Sequence, residues 1–373
     1  MKRMIALLGA VLVLVTCAGA VEVAAPSALL MEKETGTVLY AKDEHAKREP
    51  ASVTKIMTIL LTMEAIGSGQ LTYDTVVTAS AHACSMGGSQ IWLKENEQMT
   101  VGDLLKAVCV VSANDCAVAL GEAIAGSEES FVERMNQRAK ELGMNDTTFR
   151  KATGVPAEGH VTSAYDIALM SRELILNHPD IQQYTTLWMD SLRNGASELV
   201  NTNKLIRFYE GATGLKTGST DSALYCLSGT AERDGMELIA VILKDVTSAQ
   251  RFEDAKTLLS YGFSTYQLKK VVPETPLPPV RVELGTQATV QPVLGDGNTL
   301  LLERAGGGDL TQSVSLAEVV EAPVEKGARL GTLTVSAGEK TVAEIPLLAG
   351  EDIPRITYPQ MLLKLLRVAF CAC

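Results

Sequence analysis

The hydrophobic pattern divides the chain into segments of different period. Residues 27–41 (SALLMEKETGTVLYA) alternate around Glu34-Thr35-Gly36, which predicts two short strands joined in a hairpin. Residues 51–66 (ASVTKIMTILLTMEAI) are apolar nearly all round, so a helix there has no face for water and lies inside the domain, ending at Gly67 and Gly69. From about 100 to 178 the period is helical. Thr100 with Asp103 and Ser163 with Asp166 mark helix starts, Gly143 a stop, and Pro179 lies beyond a last helix end. Residues 222–244 return to strand-like runs (ALYCLSGTA and MELIAVILK) joined by Arg233-Asp234-Gly235, and 250–262 read as a closing helix. A sheet assembled from both ends of a domain, with helices inserted between, is an α+β architecture.

Beyond this domain, taken as 21–267, four of the thirteen prolines fall between 273 and 279. This marks 268–279 as a stiff Pro-rich linker. Residues 280–352, rich in Gly, Val, Thr and Leu, alternate in patches such as TLTVS and TVAEIPLL around Ala337-Gly338 and predict a small all-β module. The tail 357–373 (ending YPQMLLKLLRVAFCAC) reads as an amphipathic helix, with Lys364 and Arg367 on one side and Met361, Leu362, Leu365, Leu366 and Phe370 largely elsewhere. Too short to span a bilayer, it suits a membrane surface, with packing against its own protein as the alternative.

The first twenty residues form a different kind of segment. Lys2 and Arg3 precede an apolar run from Met4 to Val15, and Ala18-Gly19-Ala20 supplies the small residues of a cleavage site. This is the pattern of a signal peptide, and it places the rest of the chain outside the cytoplasm. The formal charge of −11 leaves no basic surplus for nucleic acid phosphates. The four histidines lack metal-ligand spacing and there is no CxxC, so neither a metal nor a cofactor is expected. Cys109, Cys116 and Cys226 read as small buried hydrophobes rather than bridge partners.

Three short patterns carry the chemistry: Ser52-Val53-Thr54-Lys55, Ser112-Ala113-Asn114 and Lys216-Thr217-Gly218. Each alone is weak; each occurs once, in this order, at the start of a buried helix, a break between helices and the entry to a strand. Ser52 and Lys55 are three apart on one helix face. A serine hydroxyl needs a base to become a nucleophile, and Lys55 serves only if uncharged. Burial, the positive helix N-terminus and a second cation all favour the uncharged amine, and Lys216 is the candidate cation. Ser112 offers a hydroxyl to relay a proton to a leaving amine. Asn114 offers an amide to a substrate carbonyl or to Lys55. Lys216 and Thr217 suit a carboxylate, and Gly218 leaves the strand bare for an extended peptide. The N–H of Ser52 is half of an oxyanion hole.

With these motifs, and with the stretches EPASVTKIMT (49–58), SMGGSQIWL (85–93), VSANDCAVALGEAIAGS (111–127), TSAYDIALMSREL (162–174), NTNKL (201–205) and GLKTGST (214–220), the chain resembles the low-molecular-weight penicillin-binding proteins that are serine-type D-alanyl-D-alanine carboxypeptidases, the peptidase S11 family. The resemblance implies a β-lactamase/transpeptidase-like domain, an antiparallel sheet flanked by helices with a helical subdomain, followed by the all-β domain and the tail helix. It implies acylation of Ser52 by a peptidoglycan stem peptide ending in D-Ala-D-Ala, release of the terminal D-alanine, hydrolysis by water, and acylation by β-lactam antibiotics. It also implies that the second oxyanion N–H belongs to Ser219 and that Arg251 helps hold the terminal carboxylate.

Two other readings remain open on sequence. A β-lactamase would need a deacylating acid beyond the second motif, where Glu158 is nearest, although GVPAEGHVTS around it reads like the carboxypeptidases. A wall-binding protein without catalysis would not need all three motifs.

Overall fold

A computed structural model describes residues 21–305 and 310–363; the expected signal peptide, 1–20, and the residues beyond 363 lie outside them. The chain opens with two strands, β1 (Ser27–Glu32) and β2 (Val38–Lys42), paired antiparallel around Gly36, whose φ of +69° suits a residue without Cβ. A short 3₁₀ turn, Ala51–Thr54, leads into α1 (Lys55–Gly67), buried on almost every side. Next come α2 (Val101–Val110), α3 (Asn114–Ala125), α4 (Glu128–Glu141) and α5 (Ala164–Asn177), which with α1 form the helical subdomain. Two of the N-caps act as their residue types dictate: the Thr100 hydroxyl accepts from Asp103 N and that of Ser163 from Asp166 N.

The sheet is completed by β3 (Ala212–Thr220), β4 (Leu224–Arg233) and β5 (Met236–Asp245), and α6 (Ser248–Thr265) closes the domain. Strand order is β2-β1-β5-β4-β3, all antiparallel, so the N-terminal hairpin pairs with the last strand and β3 lies at an edge. The turn at Arg233-Asp234-Gly235 has two successive positive φ values, +52° at Asp234 and +76° at Gly235, the requirement of a tight type I′ hairpin. One apolar core fills the space between the sheet, α1 and the subdomain; a second lies between the sheet's other face and α6, around Leu30, Leu238 and Leu258. The fold is therefore α+β, a sheet with helices on both faces.

The segment expected as a free linker differs at its start. Residues Tyr266–Lys270 form a strand paired antiparallel with Thr299–Glu303 of the β module. Val271 is buried in the module's core, and the Leu277 carbonyl accepts from Gln291 Nε2. The alternation of Tyr266, Leu268 and Lys270 is short, and its partner lies some thirty residues on, so no local signal separates it from linker. The module itself is all-β, with a hairpin between Arg329–Ala337 and Lys340–Ala349 turning at Gly338. Residues 358–363 are helical, with Leu362 and Leu363 exposed, and the rest of the expected tail helix lies outside the described residues. No helix of the described residues is long and apolar enough to cross a membrane.

Candidate active site

Ser52 sits in the 3₁₀ turn, and Lys55 is the first residue of α1. Lys55 has no solvent exposure, and its Nζ donates to Ser52 Oγ at 2.9 Å and to the Thr153 carbonyl at 2.8 Å. Burial holds its amine well below the usual lysine range and Lys216 pushes the same way, with Asp115 opposing. Lys216 is itself only 1% exposed; burial, joined by the Arg251 cation, brings it down to about 7. Both lysines are thus biased toward the uncharged form, each by burial in a dry interior and by a neighbouring cation, Lys216 for Lys55 and Arg251 for Lys216.

The turn between α2 and α3 carries Ser112 and Asn114. Ser112 has φ +65°, a left-handed conformation uncommon for a residue with a Cβ. Among the described residues its buried Oγ has no hydrogen-bond partner, nor does Asn114 Oδ1. Asn114 Nδ2 donates to the Gly87 carbonyl at 2.6 Å, and Asn114 N–H to the Ser89 carbonyl at 2.7 Å, so the 85–93 loop fixes the amide. The next residue, Asp115, is fully buried and accepts from Ile91 N, Leu93 N and its neighbour's Cys116 N.

On β3, Gly218 lies against the 3₁₀ turn that leads into α1. A Cβ on Gly218 would lie 2.9 Å from Pro50 O, Ser52 N and Val53 N, closer than real Cβ contacts come. The glycine therefore admits the helix start against the strand, a different reason from the bare peptide-binding edge expected on sequence. Thr217 Oγ1 lies 2.6 Å from Thr202 Oγ1, and Ser219 is exposed at the far side of Gly218. Arg251, 6% exposed, gives Nη1 to the carbonyls of Gly218 (3.0 Å) and Cys226 (3.1 Å) and Nη2 to Ser248 Oγ, with Nε left without a partner. Its guanidinium buttresses the strand that carries the third motif. The structure thus gathers Ser52, Lys55, Lys216 and Gly218 around the start of α1, with Ser112 and Asn114 on the adjoining turn and Arg251 hydrogen-bonded to the back of Gly218.

Several contributors have no sequence signature. Thr153 acts through a carbonyl. Gly154 follows it with φ +81°, and a Cβ there would fall 1.9 Å from Ala51 O. The pair Ala152-Thr153 is held by Glu128, which accepts from Ala152 N at 3.1 Å, and by Thr58 Oγ1, which donates to Ala152 O at 2.7 Å. Beneath them Thr54 Oγ1 lies 2.9 Å from His160 Nε2, while His160 Nδ1 accepts from Arg150 N. That contact makes Nε2 the protonated nitrogen, and burial lowers the imidazole to about 4, so it stays neutral. Glu158 is exposed on the 156–161 loop, which lines a surface cavity of about 490 Å³ together with Glu49. Among the described residues Cys109, Cys116 and Cys226 are buried and form no disulfide, and Cys84 is partly exposed. Cys109 and Cys116 lie on separate helices rather than one continuous helix.

A hydroxyl hydrogen-bonded to a buried, charge-depleted amine at a helix start, inside an antiparallel sheet–helix sandwich, defines a serine hydrolase of the penicillin-binding class. Residues 14–247 match the family described as D-alanyl-D-alanine carboxypeptidase, peptidase S11, and residues 266–355 match the C-terminal domain of penicillin-binding protein 5. The chain belongs to the D-alanyl-D-alanine carboxypeptidase family. It is 40% identical to the D-alanyl-D-alanine carboxypeptidase DacF of Bacillus subtilis over 336 residues, 89% of this chain and 86% of that one. The structure of penicillin-binding protein 5 from Haemophilus influenzae superposes with a TM-score of 0.79 at 26% identity, covering 91% of this chain and all of the other. Penicillin-binding protein D2 from Listeria monocytogenes, solved in its ampicillin-bound form, gives a TM-score of 0.61 at 33% identity over 66% of this chain and 100% of its own.

Proposed function

We propose that this protein is an exported serine carboxypeptidase that removes the terminal D-alanine from peptidoglycan stem peptides through an acyl-enzyme on Ser52. The observation that carries the reading is the hydrogen-bond pattern of Lys55. A carbonyl only accepts, so one N–H of the amine is committed to Thr153 O. When the amine is neutral, its lone pair faces the Ser52 hydroxyl 2.9 Å away. Ser52 Oγ attacks the carbonyl carbon of the penultimate D-alanine as its proton passes to Lys55 Nζ. The N–H groups of Ser52 and Ser219 receive the oxyanion. The C–N bond then breaks, Ser112 gives its proton to the leaving amine, and Lys55 returns a proton to Ser112. Water repeats the attack and frees Ser52. Asn114 holds the acyl-side amide, and Lys216 and Thr217 the terminal carboxylate, with Arg251 bracing the strand and adding positive field.

A penicillin, presenting a carbonyl and a carboxylate at similar spacing, acylates Ser52 by the same route; the ampicillin-bound Listeria relative supports this. The leader and the apolar tail support an extracytoplasmic enzyme resting on the membrane surface, and deletion of 357–373 is expected to move it from the membrane fraction to the soluble one. The decisive assay is D-alanine release from a peptide ending in D-Ala-D-Ala, with Ser52→Ala as control. Binding without release refutes the enzyme, and rapid penicillin turnover without a lasting acyl-enzyme favours a β-lactamase.

A further inference from the structure

Glu128, the first residue of α4, stands outside the three motifs and is 3% exposed, yet its carboxylate joins two loops that flank the site. Oε1 accepts from Ala152 N at 3.1 Å, one residue before the Thr153 carbonyl that receives Lys55 Nζ. Oε2 accepts from His82 Nε2 at 2.9 Å. An ionised carboxylate has no proton to give, so Nε2 carries the hydrogen whether the imidazole is neutral or charged. His82 belongs to the short helix Ala81–Cys84, which runs straight into the 85–93 loop whose Gly87 and Ser89 carbonyls fix Asn114.

One buried charge thus has an inner partner and an outer one. The inner partner is a backbone N–H. The outer partners reach water: the side chains of His82 and Lys151 are each 42% exposed, with Lys151 Nζ 3.8 Å from Oε2. Imidazole is the side chain type whose charge changes between about pH 5 and 8. The other charges around it are Glu129, exposed at the next position of α4, and Lys151, while Glu122 accepts from Ser80 Oγ at the start of the short helix. A charged donor makes a bond about twice as strong as a neutral one. What this bridge holds matters to the chemistry. A neutral lysine amine can turn about its last bond, and the contact with Thr153 O decides where its lone pair points. Thr58 Oγ1 holds the Ala152 carbonyl from the α1 side, and Glu128 is the anchor on the other.

We propose that Glu128 and His82 are positioning residues for acyl transfer. The protonated imidazole tightens the Glu128 bridge and keeps the Thr153 carbonyl where it aims the Lys55 lone pair at Ser52; the neutral imidazole relaxes it. The proposal rests on the carboxypeptidase reading and adds to its acylation step a second titration, opposite in sign to that of Lys55.

The test follows the rate of Ser52 labelling by a fluorescent penicillin in the whole protein from about pH 5 to about pH 9. His82→Gln keeps an N–H donor and loses the charge. Dividing the wild-type rate by that of this surface variant cancels the Lys55 titration that both share. The ratio should fall from roughly two- to fivefold at the acid end to one at the alkaline end, the span of an exposed ion pair. His82→Arg, a fixed cation, should match the wild type at the acid end and exceed it by the same factor at the alkaline end. In a Glu128→Gln background, which keeps an acceptor for Ala152 N and removes the charge, His82→Gln should change nothing at any pH. A purely structural role would lower the rate equally at every pH. A ratio of wild type to His82→Gln that is flat across the range, or one that changes as much in the Glu128→Gln background, overturns the assignment and leaves the carboxypeptidase reading standing. No labelling of the wild type at any pH removes both.

Discussion

Lys216 is a site where function and stability pull in opposite directions. Its amine is brought from 10.5 to about 7 by burial first and by Arg251 second. At about 1.4 kcal/mol per pH unit, holding this group in the fold costs about 5 kcal/mol below about pH 7, where both the native and the unfolded amine are charged. The sign follows from proton counts. Between about 7 and 10.5 the unfolded chain keeps the proton that the native amine has lost, so stability rises with pH across that window; below about 7 the full cost is present. Lys216→Met keeps a flexible side chain of similar length and removes the cost. It is expected to raise Tm by several degrees at about pH 6, with the gain shrinking as pH climbs toward 10. The substitution also removes a cation that depresses Lys55, so the acid limb of Ser52 acylation should move to higher pH while its maximum falls by about 10² or more. Calorimetry at about pH 6 and pH 9.5, with labelling of Ser52 by a fluorescent penicillin, reads both. A variant that melts at or below the wild type at pH 6, or a difference indifferent to pH, would refute the account of Lys216 as a strained, charge-depleted amine.

Lys55→Met should abolish penicillin labelling while folding normally, and in the wild type labelling should weaken as pH falls through the depressed Lys55 value, because the protonated amine accepts nothing. Gly218→Ala places a methyl 2.9 Å from three backbone atoms that cannot swing aside, so strand and helix start must part by about half an ångström. A fall of about 10² in acylation rate with a Tm drop of only a few degrees is expected, and near-normal acylation would count against the close approach. Asp115→Ala strips the acceptor from three N–H groups, two of them flanking Trp92, and should cost about 3 kcal/mol in a denaturant titration while raising protease cleavage within 85–93.

What could be read in the sequence was local. The hairpin at Arg233-Asp234-Gly235 announces itself because a type I′ turn demands positive φ at adjacent residues, and Thr100 and Ser163 announce helix starts because a short hydroxyl reaches the third N–H along. The three motifs were visible because their chemistry lives in side chains. Partners chosen across the fold were not visible. Thr153 contributes a carbonyl, which every residue has, and only its placement by Glu128 and Thr58 makes it an acceptor for Lys55. Arg251 stood out as a cation, but nothing local says that its fork grips Gly218 O and Cys226 O. Leu268, Lys269 and Lys270 looked like linker because the strand that pairs with them comes thirty residues later.

Strain is distributed with the same logic. Ala51, one residue before Ser52, has φ +48°; Ser112 has +65°, and Trp92 +55°. None is glycine, and each is fixed by contacts that are hard to give up. Ala51 is pressed by Gly154, whose missing Cβ is the only reason the two backbones fit. Ser112 lies in the turn after α2 and precedes an Asn114 anchored by two loop carbonyls. Trp92 is pinned by the Asp115 carboxylate. A side chain held this way loses little further freedom when a substrate arrives, so binding energy is available for the reacting geometry rather than for ordering the site. It follows that relaxing these positions, as by Ser112→Gly, should raise stability slightly while removing a hydroxyl whose buried oxygen has no partner among the described residues. That combination, a more stable and slower enzyme, is what a cleft built for catalysis predicts and what a cleft built only for binding does not.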